Sequence, residues 1–242
     1  MAIGRDTTFT WLGHAAVEIR TPGDKVVLFD PWLGNPKSPR TADAQERCDL
    51  LLVTHGHGDH LGDAVALASR LRPAWPCIHE LSLWLARRLP GGADQVTGMN
   101  KGGTVEAAGL RVSMTPAVHS AGDWNGDAGT TLYLGEPAGF VVELENGLRV
   151  YHAGDTDVFG DMAIIRERFR PDVALLPIGG HYTMDPAAAA MAAELLGVAH
   201  VLPIHWGTFP LLAGTPDQLE AAIRARGGSA QVHHWQPGDS IS

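Results

Sequence analysis

Cysteine is scarce in this chain, whose 242 residues include only Cys48 and Cys77. Two cysteines make no disulfide framework, so we expect both thiols to be free and reduced, as is typical of a cytoplasmic protein. The residues that follow Met1 lack the apolar stretch of a signal peptide. No apolar run is long enough to span a bilayer, so no membrane partner is expected.

Positive charge is also in short supply. The chain has 18 Lys and Arg against 27 Asp and Glu, a net charge of −9, and no basic run. Binding to nucleic acid needs clustered cations that meet the phosphates. The composition therefore argues against a nucleic-acid partner and leaves a small molecule as the expected substrate.

Short apolar segments bounded by Gly, Pro or Asp predict strands over 8–12, 16–20, 26–29, 50–54, 112–115, 139–144, 148–152, 173–177 and 201–204. Apolar residues at helical spacing predict helices over 63–71, 81–89, 161–169, 186–196 and 216–225. Asp185 and Thr215 are the expected N-caps, because Pro186 and Pro216 suit first-turn positions. With 45% hydrophobic residues, this mixture predicts one α/β domain over residues 1–242, in which helices cover sheets.

One heptapeptide, Thr54-His55-Gly56-His57-Gly58-Asp59-His60, concentrates three histidines and an aspartate directly after an apolar run. Imidazole and carboxylate groups are the ligands of Zn, Mn and Fe sites. The intervening glycines let a tight loop turn several side chains toward one point. The heptapeptide therefore predicts metal ligands rather than a chance polar turn.

Four apolar runs each lead into a residue that can bind a metal, and these residues are His55, His119, Asp155 and His205. Side chains just past strand ends converge on one edge of a sheet. With the rest of the heptapeptide they make five histidines and two aspartates, which is more than one tetrahedral ion needs. We therefore expect two divalent metal ions, Zn or Mn in the first place, although Fe and Ni accept the same ligands.

The seven side chains divide into two sites and a bridge. His55, His57 and His119 form a three-histidine site, and Asp59, His60 and His205 form a mixed site. Asp155 is the carboxylate that bridges the two sites. Two ions about 3.5–4 Å apart share a water or hydroxide, and metal binding lowers the pKa of such a water to about 7. A nucleophile is then available at neutral pH.

Other residues lie beside these segments. His181 follows a predicted strand and has either a substrate-facing, proton-transferring role or a structural one. His14 is expected to support a nearby loop, and His152 to be packed within its strand. Asp30 is either a carboxylate that orients a metal-bound histidine or the start of an Asp-Pro turn. The glycine-rich stretch 120–137 is either a binding loop or a surface excursion.

The order of these residues resembles the metallo-β-lactamase superfamily. The resemblance rests on His55-x-His57-x-Asp59-His60, then on His119, Asp155 and His205, with Asp30 matching an early strand-end aspartate. Motifs such as Trp11-Leu12-Gly13-His14 look like an uncharacterised bacterial branch, similar to ascorbate-6-phosphate lactonase and N-acylphosphatidylethanolamine phospholipase D. The resemblance implies a four-layer αββα sandwich with the metals at one edge, and self-association into a homo-oligomer.

The resemblance also implies a di-metal hydrolase that uses a metal-bridging hydroxide to cleave an ester, lactone or phosphodiester bond of a small molecule. Asp59 and His181 are the expected catalytic residues. Asp59 binds an ion and also shuttles the proton of the nucleophile. His181 stabilises developing negative charge or protonates the leaving group.

Other activities of this fold fit the sequence less well. β-Lactamases generally lack a counterpart of Asp155, and flavin-linked di-iron members usually carry Glu in place of His57. One alternative is a mononuclear iron dioxygenase that acts on a thiol or persulfide with His55, His119 and Asp155. Another is a non-catalytic protein whose metals serve folding or sensing. Seven ligands favour the hydrolase, because a structural site normally closes with four.

Substrate selection is expected to lie in three segments, 120–137, 179–184 and 208–212. None of them contains Lys or Arg, the residues from which a phosphate clamp is built. Lys101 stays a candidate for that role.

Overall fold

The computed structural model describes residues 3–4 and 6–242, so the expectation placed on the first residues, Met1 and Ala2, lies outside the described residues. Within that range the chain forms sixteen strands: β1 (Thr8–Trp11), β2 (Val17–Arg20), β3 (Val26–Phe29), β4 (Leu50–Leu52), β5 (Trp75–Ile78), β6 (Val96–Met99), β7 (Thr104–Ala107), β8 (Leu110–Pro116), β9 (Asp123–Asn125), β10 (Thr130–Leu132), β11 (Ala138–Glu143), β12 (Arg149–His152), β13 (Val173–Pro177), β14 (His200–Ile204), β15 (Gln231–Val232) and β16 (Ser240–Ile241). The described α-helices are α1 (Gly58–Leu61), α2 (Ala64–Leu71), α3 (His79–Leu85), α4 (Met162–Phe169), α5 (Pro186–Leu196) and α6 (Pro216–Ala225). None of these helices is long and apolar enough to cross a membrane.

Two sheets form the centre of the fold. The first has the strand order β16-β1-β2-β3-β4, and the second has the order β15-β14-β13-β12-β11-β8-β7. In the second sheet β8, β12, β13 and β14 all run in the same direction, because β11 is antiparallel to both β8 and β12, while β13 is parallel to both β12 and β14. The ends of these strands therefore meet at one edge.

Apolar side chains fill two interior layers. Successive residues of a strand point to opposite faces of its sheet. Leu175 accordingly joins the core between the sheets, with Phe29, whereas its neighbour Leu176 packs against the outer helices with Ile165 and Leu219. Helices α2 and α3 pack into the first core, and α4, α5 and α6 into the second. The architecture is the expected four-layer α/β sandwich.

Most predicted elements are present, and four have the predicted bounds: β3, β13, α5 and α6. Asp185 and Thr215 cap their helices by accepting hydrogen bonds from Ala188 N–H and Gln218 N–H. The helix predicted over 81–89 is wrong at both ends, since α3 spans His79–Leu85. Residues 86–89 form turns before Pro90 instead, and Leu89 is disfavoured in the helical conformation because it precedes the proline.

Several strands were not predicted, namely β5, β6, β7, β9, β10, β15 and β16. Four of them, β9, β10, β15 and β16, have only two or three residues, and β5 contains a proline. Such segments carry too little periodic signal to separate them from loops. Two of these strands, β9 and β10, pair as a small two-stranded sheet within the glycine-rich stretch 120–137.

His152, the last residue of β12, connects the second sheet to the segment between β1 and β2 of the first sheet. Its Nδ1 accepts a hydrogen bond from Gly154 N–H at 3.1 Å, so its Nε2–H is the donor to Ala15 C=O, also at 3.1 Å. The ring stacks on Phe29, with centroids 4.8 Å apart. Burial lowers the pKa of His152, which favours the neutral ring that this pattern requires. As expected from the sequence, His152 is packed within the structure.

We predict that His152→Ala destabilises the fold by about 3 kcal/mol, because it leaves Ala15 C=O and Gly154 N–H unpaired beside a new cavity. Urea unfolding with a fixed excess of chelator measures the free energy of unfolding. The exposed His234→Ala is the matched control and should change it by less than about 0.5 kcal/mol. Equal stability of the two variants would contradict the bridging role.

Candidate metal centre

The heptapeptide forms the bend after β4 and the short helix α1. His57 is the residue before the helix, Asp59 lies in its first turn, and His60 is buried near its end. Gly56 passes close to Leu134, and a Cβ added at residue 56 would lie 2.8 Å from Leu134 Cβ. Glycine is therefore required there for close approach of two loops, in addition to the loop flexibility that the sequence suggested.

Three histidines gather at one side of the centre. The Nε2 of His55 lies 2.8 Å from Nδ1 of His57, and one ring nitrogen of each of His55, His57 and His119 lies within 4.8 Å of the others. Burial lowers the pKa of all three imidazoles, most of all that of His55. Neutral imidazole is the form that binds a metal ion. The predicted three-histidine group is therefore brought together in a suitable state.

The second predicted group is also brought together, with one additional member. Ligand atoms of Asp59, His60 and His205 lie within 4.8 Å of one another and of a nitrogen of His14. The Nε2–H of His14 donates to Asp59 Oδ2 at 3.0 Å, and its ring lies 3.9 Å from that of His205, centroid to centroid. The sequence predicts only a loop-supporting role for His14, whereas its ring directly contacts this group.

Asp155 lies between the two groups. Its Oδ2 is 3.1 Å from His205 Nε2, 3.2 Å from His60 Nε2 and 3.6 Å from His119 Nε2. One carboxylate oxygen thus contacts histidines from both predicted sites. This is the position that a bridging ligand requires.

Buried polar atoms of this centre fit a bound cation. Among the described side chains, His60 Nε2, Asp155 Oδ1 and both ring nitrogens of His205 are buried and lack a hydrogen bond. The contacts with Asp155 are short, but they do not have hydrogen-bonding geometry. Leaving such atoms unpaired costs about 1–3 kcal/mol each. Histidine nitrogens and carboxylate oxygens that converge without partners are the donor set of Zn and Mn sites.

The charges of the centre support the same interpretation. Burial raises the pKa of Asp155, but His205 and His60 outweigh burial and hold that pKa well below its usual range. For His60 burial lowers the pKa, yet Asp155 and Asp30 together raise it well above the ordinary value. The site therefore favours an ionised carboxylate next to a positive charge. A metal ion supplies that charge in place of the proton.

Asp30 fixes the orientation of His60. It is fully buried at the end of β3, and its Oδ2 accepts a hydrogen bond from His60 Nδ1–H at 2.8 Å. Thr54 donates to both carboxylate oxygens of Asp30, from its N–H and its hydroxyl, each at 2.7 Å. Because Nδ1 carries the proton, the lone pair of His60 Nε2 is available to the centre. Asp30 also opens a turn with Pro31 at a φ of +43°, so both sequence alternatives describe part of its role.

His14 is held from its other side by Thr208. Burial lowers the pKa of His14 to about 4, so the ring is neutral at pH 7. Its Nε2–H already donates to Asp59, and its Nδ1 therefore accepts a hydrogen bond from the Thr208 hydroxyl at 3.0 Å. His14 comes shortly after β1, so the strand-end rule that found the other histidines could have found it.

In two of the four apolar runs the strand ends before the residue that can bind a metal, as the predicted strand bounds 112–115 and 148–152 indicate. The apolar run 112–118 does not continue as a strand to His119, because β8 ends at Pro116, which has no N–H for further pairing. Val118 instead accepts a hydrogen bond from Asp157 N–H and donates to the Thr156 hydroxyl at 2.9 Å. Likewise β12 ends at His152, because Gly154 turns the chain at a φ of +65°. These turns join the segments that carry His119 and Asp155.

His181 lies outside both groups of neighbouring ligand atoms within the described residues. It occupies an exposed turn after β13, at a φ of +60°, with its ring 4.4 Å from that of Tyr182. The turn is tied to the centre through Met184, whose N–H donates to Thr156 C=O at 3.1 Å. The predicted catalytic role of His181 stays a prediction.

The fold and the site together define a metallo-β-lactamase-fold protein with a histidine–aspartate centre, and comparisons with known proteins agree. The family described as "Beta-lactamase superfamily domain" matches residues 25–206. A UPF0173 metal-dependent hydrolase of Koribacter versatilis is 46% identical over 96% of this chain and 97% of its own length. Its counterpart in Archaeoglobus fulgidus is 47% identical over 96% of each chain.

A solved structure leads to the same family. Igni18, described as a novel metallo hydrolase from Ignicoccus hospitalis, superposes with a TM-score of 0.84 at 35% identity and covers 97% of both chains. The chain belongs to the β-lactamase superfamily, and within it to the UPF0173 metal-dependent hydrolases. The family expected from the ligand order is thereby confirmed.

We predict that Asp30→Asn lowers metal affinity about 10- to 100-fold, because the amide cannot accept all the hydrogen bonds that hold His60 and Thr54. Competition with a chromogenic chelator measures the affinity. Asp63→Asn is the matched control, since Asp63, within the part of the chain that the structure describes, accepts hydrogen bonds from the N–H groups of Leu33 and Gly34 and from none of the metal-centre residues. Equal affinities of the two variants would show that Asp30 does not act through His60.

Proposed function

We propose that this protein is a di-metal hydrolase that cleaves an ester, lactone or phosphodiester bond of a small molecule. The observation that carries the proposal is Asp155, whose Oδ2 lies within 3.6 Å of histidine nitrogens from both groups. Two divalent ions, Zn or Mn, would supply Lewis acidity toward the substrate oxygen and a water of lowered pKa. The acidic composition and the two buried free cysteines support a cytoplasmic protein that acts on a small molecule.

Each group of side chains has one task in this proposal. His55, His57 and His119 would hold one ion with neutral imidazoles. Asp59, His60 and His205 would hold the other ion, and Asp155 would be shared by the two groups. Asp30 and His14 do not need to bind an ion, because each fixes a neighbour, His60 or Asp59, through a hydrogen bond.

Asp59 is suited to orient the attacking water. Burial raises its pKa, but the hydrogen bond from His14 and the nearby His60 hold that pKa below its usual range, so the carboxylate is ionised at neutral pH. About 36% of its side chain is exposed, which leaves it accessible to water as well as to the centre. Its carboxylate accepts the proton of the attacking water and passes it on.

His181 is proposed to complete the reaction from the exposed turn after β13. An imidazole can donate a proton near neutral pH, and this one is accessible to solvent. It protonates the leaving oxygen or stabilises negative charge as the bond breaks.

Metal content tests the di-metal proposal. We expect protein purified without chelator and then equilibrated with Zn or Mn to hold close to two ions per chain by elemental mass spectrometry. His119→Ala should hold close to one, because it removes a ligand from the three-histidine group only, and His181→Ala should still hold two. One iron per chain with oxygen consumption would instead favour the dioxygenase.

Measurements of kcat and of metal content should distinguish the roles of Asp59 and His181. Asp59→Ala should lower kcat by about 100-fold or more and weaken one metal site, because Asp59 both binds an ion and orients water. His181→Ala should lower kcat about 10- to 100-fold at unchanged metal content. The measurements are steady-state kinetics and metal analysis on the same preparations. Full turnover by Asp59→Ala on a true substrate would remove its assigned role.

A further inference from the structure

Exposed apolar side chains concentrate around the metal centre. Nine large hydrophobic residues of the described chain are exposed, and six lie on segments that also carry or contact the centre. We call these six the apolar rim: Val118, Leu132, Tyr133, Tyr182, Phe209 and Leu211, with exposures of 39–60%. Apolar residues concentrated at one place on a surface mark a ligand groove or an interface.

Contacts or sequence neighbours connect four of the six rim residues to the centre. The Phe209 ring lies 6.1 Å from that of His14, centroid to centroid, and follows Thr208, which holds the other side of that histidine. Val118 directly precedes His119. Tyr133 precedes Leu134, the residue that packs on Gly56 within the heptapeptide. Tyr182 lies in the turn tied to Thr156 through Met184.

The segments of the rim carry no Lys or Arg. Residues 120–137, 179–184 and 208–212 contain no Lys or Arg but include Asp123, whose negative charge acts on His57. Lys101, the cation left open from the sequence, forms an ion pair with Glu136. A substrate that carries a phosphate group would find no guanidinium or ammonium partner on these segments.

Three arginines lie together elsewhere on the large sheet. Arg111, Arg149 and Arg168 line a cavity of about 440 Å³. Arg111 lies near the start of β8, whereas His119 lies beyond the end of that strand, and five residues of strand span about 17 Å. Arg111 is thus separated from the centre by the length of the strand.

We propose that the substrate is an uncharged carbonyl ester or lactone whose apolar acyl or aryl body lies on the rim while its carbonyl group meets the metal centre. This inference rests on the proposed hydrolase function and selects one substrate class within it. Water adds to the carbonyl carbon, and the bond from that carbon to the ester or ring oxygen breaks. The leaving oxygen takes a proton, which gives an acid and an alcohol, or a single hydroxy acid from a lactone.

The length of the substrate's carbon side chain tests whether the apolar rim binds the substrate. Burying one methylene group changes binding up to about fourfold. We therefore expect the Zn- or Mn-loaded protein to have a kcat/KM at least tenfold higher on a γ-lactone with a six-carbon side chain than on one with a two-carbon side chain. Bis(4-nitrophenyl) phosphate and 6-phosphogluconolactone, both anionic, should be poorer substrates than the long neutral lactone.

Variants locate the effect on the rim. Phe209→Ser and Tyr182→Ser should each lower the ratio of long-chain to short-chain kcat/KM about fivefold. Met191→Ser is the matched control, because Met191 is equally apolar and 41% exposed but lies on the outer helix α5. Calorimetry with the matching γ-lactams, which resemble the lactones, gives a second readout on metal-free protein. The six-carbon lactam should bind more tightly than the two-carbon lactam, and Phe209→Ser should remove the difference.

The outcomes distinguish this inference from the proposed function. Faster cleavage of the phosphodiester or of the phosphorylated lactone keeps the hydrolase and overturns the apolar substrate. A metal-replete protein that cleaves no ester, lactone or phosphodiester overturns the proposed function, whereas lactam binding that depends on chain length still supports the apolar site. If Phe209→Ser and Tyr182→Ser lower the molar mass in sedimentation equilibrium and leave the chain-length ratio unchanged, the rim is an interface between copies of the chain, and the inference is overturned.

Discussion

The attraction between one buried carboxylate and the histidines around it is the interaction on which the rest of the site depends. Asp155 lies at an edge where segments from both sheets meet, with the nitrogens of His60, His119 and His205 within 3.6 Å of its Oδ2. Several buried polar atoms there have no hydrogen-bond partner among the described residues. Such an arrangement is costly without a positive charge to satisfy it. Metal binding and the stability of this edge are therefore expected to be linked, since a bound ion stabilises the folded state.

The outer hydrogen bonds give the histidines defined protonation states. Asp30 accepts a hydrogen bond from His60 Nδ1–H, and the Thr208 hydroxyl donates to His14 Nδ1, so each ring presents a known nitrogen to its other partner. His152 is fixed in the same way between Gly154 and Ala15. Partners of this kind hold a ring in one orientation and one tautomer. The His14–Thr208 and His152–Ala15 hydrogen bonds also connect segments of the first sheet with segments of the second.

The large sheet separates two kinds of chemistry along its strands. The segments that bear the apolar rim contain no Lys or Arg. Arg111 and Arg149, which lie near the starts of β8 and β12, line a cavity. A metal centre provides strong local positive charge by itself. In the proposed reaction, surroundings without Lys or Arg would leave shape and apolar contact to select the body of the substrate, while the metal centre would act on the polar bond.

The sequence by itself determined the ligand types, their strand-end positions and the helices with clear start signals, such as those after Asp185 and Thr215. Those features are local, because capping and strand alternation act over a few residues. It did not reveal that His14 contacts Asp59, that Thr208 holds His14, or that Val118 pairs with the loop at Thr156. The His14–Thr208 pair is separated by 194 positions, and the rim is assembled from three distant segments. Only the tertiary structure decided these contacts, because they depend on which strand ends the two sheets bring to the same edge, and no local pattern encodes that packing.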